Sequence, residues 1–183
     1  MKAKLFFSLA GALALAACGD TDTEATDETL AEDTLATPTE TATPAMTAQA
    51  FADAVAASDM YEVEAGRLAQ DIGTSEEVRD FGAMMVEEHT TSTAGLRAAA
   101  AEATNVTVNP QMTSVQQSNI EALRNAGDMF DSVYAPQQVA AHETALQLLR
   151  DYAVNGASAP LRTFAGDTAT VVQGHLATAR ELP

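Results

Sequence analysis

Between Thr47 and Leu182, apolar and small residues recur every three and four positions in four long stretches. Each stretch is interrupted once, near its middle, by an ionisable side chain. That spacing is the period of an α-helix with one buried face. The first stretch, 47–73, runs Phe51, Val55, Ser58, Glu62, Ala65, Ala69, Ile72. The second, 75–103, runs Val78, Gly82, Met85, His89, Ser92, Leu96, Ala99. The third, 129–154, runs Tyr134, Gln138, His142, Ala145, Leu149, Tyr152. The fourth opens at Ser158 and Pro160 and runs Leu161, Ala165, Thr168, Val172, His175, Ala179, Leu182. Helices of this kind must bury their apolar faces against one another, so the pattern predicts an all-α, antiparallel four-helix bundle over 47–183. A shorter helix at 113–126 is expected before the third long one.

The punctuation between the stretches agrees. Gly73 is a helix stop, and Thr74 with Glu77 three residues on predicts a capping box for the second helix. Asp128 is expected to cap the third long helix, and Pro136, past its first turn, to kink it. Asn155-Gly156 ends that helix, and Pro160 suits the first turn of the next. No stretch reads as a strand. Alanine is abundant, tryptophan is absent and aromatic residues make up only 5% of the chain, which favours helices over sheets.

The four interrupting residues are Glu62, His89, His142 and His175, and they include every histidine in the chain. Short turns make consecutive helices antiparallel neighbours. With the 73–75 and 155–159 turns at one end, a rise of about 1.5 Å per residue puts these residues at heights of about 16, 21, 20 and 24 Å. They form one layer, from which Asp131, about 16 Å beyond His142, is excluded. An internal repeat points the same way. "LAQDIGTSEEVRDFGAMMVEEH" and "LLRDYAVNGASAPLRTFAGDTATVVQGH" share Leu, Asp, a turn, Arg-x-Phe and a closing histidine. In that register Glu62 corresponds to His142.

The first 47 residues have a different character. "MKAKLFFSLAGALALAACGD" has two lysines, a short apolar run and small residues, the layout of a secretory signal peptide over 1–17. Leu15-Ala16-Ala17-Cys18 resembles the lipobox of bacterial lipoproteins, in which the chain is cut before the cysteine and that residue is acylated. Cys18, the only cysteine, is then the lipid anchor. Glycine rather than aspartate follows it, which favours the outer membrane, facing the periplasm. Residues 19–47 hold ten threonines, eight acidic residues, two prolines and no basic residue. Such a segment cannot bury enough apolar surface to order itself, so 18–46 is expected to be a disordered tether. The formal charge of −17 becomes −19 once Lys2 and Lys4 leave with the signal. A chain this acidic repels phosphate backbones, so no nucleic-acid partner is expected. The expected membrane contact is the acylated Cys18. No phosphate-binding loop and no nucleophile elbow is present.

The segments "YEVEAGRLAQ", "VRDFGAMMVEEHT", "FDSVYAPQQVAAHE" and "LRTFAGDTATVVQGHLATA" together resemble a bacterial family of unknown function. That family is often labelled "predicted outer membrane protein" and is assigned to the ferritin-like group. The resemblance covers 47–183 and implies a ferritin-like bundle in the cell envelope, with no established activity. A non-enzymatic binding or structural role in envelope maintenance or stress protection follows by analogy with the family alone.

Two readings of the polar layer stay open. In one, Glu62, His89, His142 and His175 hold a transition metal, for which imidazole suits zinc, copper or iron. In the other they form a buried polar network, with Glu62 accepting hydrogen bonds from the histidines. The di-iron chemistry of ferritins is not expected, because it needs Glu-x-x-His motifs. The residues three before the histidines are Val86, Val139 and Val172. Met60, Met84, Met85 and Met129 are read as core filler rather than copper ligands.

Overall fold

The computed structural model describes residues 46–183. The expected signal peptide, Cys18 and the expected tether up to residue 45 lie outside the described residues. Five helices follow in order: α1 (Ala48–Ile72), α2 (Glu76–Ala101), α3 (Ser114–Arg124), α4 (Phe130–Asn155) and α5 (Ala159–Ala179). A single 3-10 turn, Gly127–Met129, leads into α4. There is no strand among the described residues, and no helix there is long and apolar enough to cross a membrane.

The helix ends follow local chemistry. Thr47 caps α1 by accepting from the Ala50 amide. Thr113 and Gln116 form a reciprocal capping box on α3. The box expected from Thr74 and Glu77 does not form. Ser75 is the cap of α2 and accepts from Val78 N, so the helix starts one residue later. Thr74 is held instead by Asp131, which also receives the Ser75 amide; the contacts measure 2.6–2.9 Å. Asp128 caps nothing either, because it sits within the 3-10 turn and α4 starts without a side-chain cap. Pro136 does not break α4, which runs on to Asn155. Proline removes one backbone bond, to Ser132 O, and Ser132 is exposed, so water can satisfy the freed carbonyl.

Helices α1 and α2 pair as one hairpin and α4 and α5 as another; α2 packs on α5, α1 packs on α4, and α3 covers α1 and α4. The first hairpin is unusually close. A Cβ on Gly66 would meet Gly82 O at 2.6 Å, and one on Gly82 would meet Ala69 Cβ at 2.6 Å, so both positions require glycine. The two turns do not share an end of the molecule, contrary to the expectation above. The start of α4 touches the α1–α2 turn through Asp131, while its far end stacks Tyr152 on Phe51 at the start of α1. The α4–α5 turn therefore lies at the opposite end. The polar layer survives this reversal because all four residues sit near the middle of the helix stack.

The internal repeat is visible in the turns. Arg79 donates to Gly73 O and Arg162 donates to Gly156 O, both at 2.8 Å. Gly73 to Gly156, Arg79 to Arg162 and Phe81 to Phe164 share one offset of 83 residues. In this register His142 matches Asp59, not Glu62, and His175 matches Ser92.

The core is two apolar clusters rather than one. Phe51, Val55, Leu96, Leu149, Tyr152, Leu161 and Val172 form the first. Tyr61, Val78, Phe81, Met85, Ile120, Leu123, Phe130 and Tyr134 form the second. Each large side chain buried this way stabilises the fold by roughly 1.5–3 kcal/mol. Along α1, α2 and α4 the side chains pass from one cluster to the other, and Asp59, His89, Gln138 and His142 occupy the crossing points.

Candidate metal centre

Each histidine sits on the inward stripe of its helix: His89 on α2, His142 on α4 and His175 on α5. The structure brings the three rings together. Their centroids are 5.5–5.8 Å apart, and one nitrogen from each lies within 4.8 Å of the other two. All three residues are buried. Glu62, on α1, is 1% exposed and adjoins this group without joining it. Its Oε1 is 3.9 Å from His142 Nδ1, and its Oε2 has no hydrogen-bond partner.

The outer nitrogens are anchored. His89 Nδ1 is 2.9 Å from Asp59 Oδ1, and His142 Nδ1 is 2.8 Å from the Gln138 carbonyl, one turn back on α4. A carboxylate and a carbonyl only accept, so both Nδ1 atoms carry the proton and donate it. On each ring one buried nitrogen has no partner: His89 Nε2, His142 Nε2 and His175 Nδ1. An equilateral triangle with 4.8 Å sides puts its corners about 2.8 Å from the centre, and imidazole–zinc bonds need about 2.0–2.1 Å. Inward ring shifts of about 0.7 Å close that gap. The donor set therefore fits a first-row transition ion, and two of the three rings are already oriented from behind.

A family model described as "Domain of unknown function (DUF4142)" matches residues 33–182. The chain belongs to the DUF4142 family. The match begins inside the acidic segment and covers every residue of the polar layer. Searches of the curated proteins and of the solved structures found no match to this DUF4142 chain.

Burial sets the electrostatics of the DUF4142 site. It pushes the Glu62 carboxyl up to about 7, with a charge on His89 drawing it partly back. Burial also opposes charge on His89, but the Asp59 hydrogen bond and the Glu62 charge outweigh it, so His89 is held above the usual histidine range. Burial and the charge of His89 lower His142 to about 4, even against its bond to the Gln138 carbonyl. Burial with the charges of His89 and His142 lowers His175 to about 3. At neutral pH two of the three imidazoles are therefore neutral, the form that binds metal.

Sequence reasoning missed Asp59. It is 2% exposed and also accepts from Thr93 Oγ1 at 3.0 Å. Its signal was its position three residues before Glu62, which puts both carboxyls on one face of α1. The methionines do not gather at the centre. Met85 fills the core beside Phe81, while Met60 and Met129 are exposed. Val139 and Val172, three residues before two of the histidines, pack in the apolar clusters.

Proposed function

We propose that this DUF4142 protein is a metal-binding lipoprotein of the outer membrane's periplasmic face. Its bundle core holds one divalent first-row transition ion on His89, His142 and His175. The observation that carries this reading is the convergence of three buried imidazoles, one nitrogen of each within 4.8 Å of the others, with one unpartnered nitrogen on every ring. A self-contained polar network would pair them, because orphaned buried polar groups are costly. The expected bonds from the histidines to Glu62 are not made. Charge balance supports the same reading: a divalent ion on three neutral imidazoles offsets the carboxylates of Asp59 and Glu62 within one buried layer. The ligands are all imidazole, with no thiolate, which suits zinc, copper, nickel or iron(II), with copper bound tightest.

The single long crossover from α2 to α4 is the connection pattern of ferritin-like bundles, and we assign the fold to that group. The site is not that of a di-iron ferritin, because it holds the ligands of one ion. The lipobox at Leu15–Cys18 supports the anchor; Cys18→Ala is expected to release the protein from membranes, and a membrane-bound variant would contradict the anchor.

The test of the centre is metal content, measured by mass spectrometry after mild purification and after adding zinc, copper(II) or iron(II). One ion per chain is expected, with a loss of at least half in His89→Ala. Substoichiometric metal under every condition overturns the proposal, and full metal in the variant places the ion elsewhere.

A further inference from the structure

Three protein donors leave a four-coordinate ion one position short, and sites of that kind take a water or a substrate in the remaining place. The surroundings of the three histidines show where that place lies. A cavity of about 30 Å³ adjoins the cluster, and His89 and His175 form part of its wall. His142 does not contribute to it. Ala145, Leu149 and Val172 from α4 and α5 supply apolar wall, and the buried carboxylate of Asp59 also lines it. The exposed residues Glu88 and Val171 stand at its outer end, between α2 and α5. One hydroxyl, Ser92 Oγ, is buried there without a hydrogen-bond partner. A space of this size admits a few water-sized molecules and nothing as large as a metabolite.

We propose that the metal centre keeps one coordination position for an exogenous ligand of one to three heavy atoms, which enters between α2 and α5 and is bounded by Ser92 and Ala145. The ligand class is water, hydroxide, a diatomic gas or a linear triatomic ion. The proposal rests on the metal reading above. Its own content is that the site is open on the His89–His175 side and selects by size.

The experiment uses the full-length protein loaded with cobalt(II), whose visible absorption reports coordination, and sodium azide as the probe. In the wild type, azide is expected to change the cobalt bands in a saturable way. Two separate cavity-filling variants, Ala145→Leu and Ser92→Val, are expected to bind one cobalt per chain and to lose at least tenfold in azide affinity. Two variants on different helices guard against a single misfolded one. Thiocyanate, a triatomic ion with bulky sulfur, is expected to bind more weakly than azide. Stoichiometric cobalt with bands that do not respond to azide would show a closed site and overturn this inference while leaving the metal reading intact. An azide response equal in the wild type and both filled variants would overturn it as well. A chain that binds no cobalt removes both readings.

Discussion

At the scale of single residues, His89 and Asp59 show how the histidine cluster is built. His89 donates one ring proton to a buried carboxylate and turns the other nitrogen inward, the arrangement by which proteins orient metal-bound histidines. Asp59→Asn keeps the shape but removes the charge that steadies the imidazole. Metal affinity is expected to fall about 10- to 100-fold, as for other outer partners of metal-bound histidines. Competition with a chromophoric chelator measures it, and an unchanged affinity would show that Asp59 serves the fold alone. The histidines were legible in the sequence because they interrupt stripes that are otherwise apolar. Asp59 was not, because the stripe drawn for α1 passes through its neighbour Ser58, and an aspartate on a helix is ordinarily a solvated residue. Glu62 was found beside the histidines, as expected, but it accepts no hydrogen bond from them. The proton it was expected to accept goes from His142 to a backbone carbonyl on its own helix.

At the scale of helices, length and type were readable from period and caps, whereas placement depended on contacts that no local pattern encodes. The boundaries of α1, α3 and α5 fall where Gly73, Thr113 and Ser158 put them. Adjacent hydroxyls misled the reading of α2. In "TSEE" both Thr74 and Ser75 can cap, and the choice is made by Asp131, more than fifty residues away, which takes the Thr74 hydroxyl and both amides. Those same bonds hold the Asp131 carboxyl below the usual range, although its partial burial works against this. Which end of the molecule holds the α4–α5 turn is likewise a long-range fact. The α2–α4 crossover allows either arrangement on length alone, and stacking of Phe51 on Tyr152 belongs to the one observed. The repeat was legible as Arg-x-Phe after a glycine turn. Its register became clear only when both arginines were seen to donate to the turn glycine's carbonyl.

At the scale of the whole molecule, two apolar clusters provide stability and the layer between them costs some of it. That balance has a pH signature in the metal-free protein. His142 and His175, lowered from 6.5 to about 4 and about 3, hold fewer protons when folded, so their contribution is lost as pH falls below 6.5. Glu62, raised from 4.5 to about 7, holds more protons when folded, so its contribution declines as pH rises between those values. Two histidines outweigh one glutamate across the shared range, and the net slope there follows the histidines. His89, raised above 6.5, adds stability that is present below that value and lost as pH rises through its folded pKa. The thermal midpoint of the metal-free protein is therefore expected to peak near pH 6.5 and fall on both sides. Added zinc should abolish the alkaline fall, because the ion replaces the protons that leave. A midpoint flat from pH 4.5 to 8.5 would contradict this account of the layer.

The central claim is that His89, His142 and His175 hold one ion, and X-ray absorption of the zinc-loaded protein tests it most directly. The account predicts three imidazole nitrogens at about 2.0–2.1 Å, one further light atom and no sulfur. A spectrum showing fewer than two imidazoles, or an ion surrounded by carboxylate and water oxygens, would contradict it.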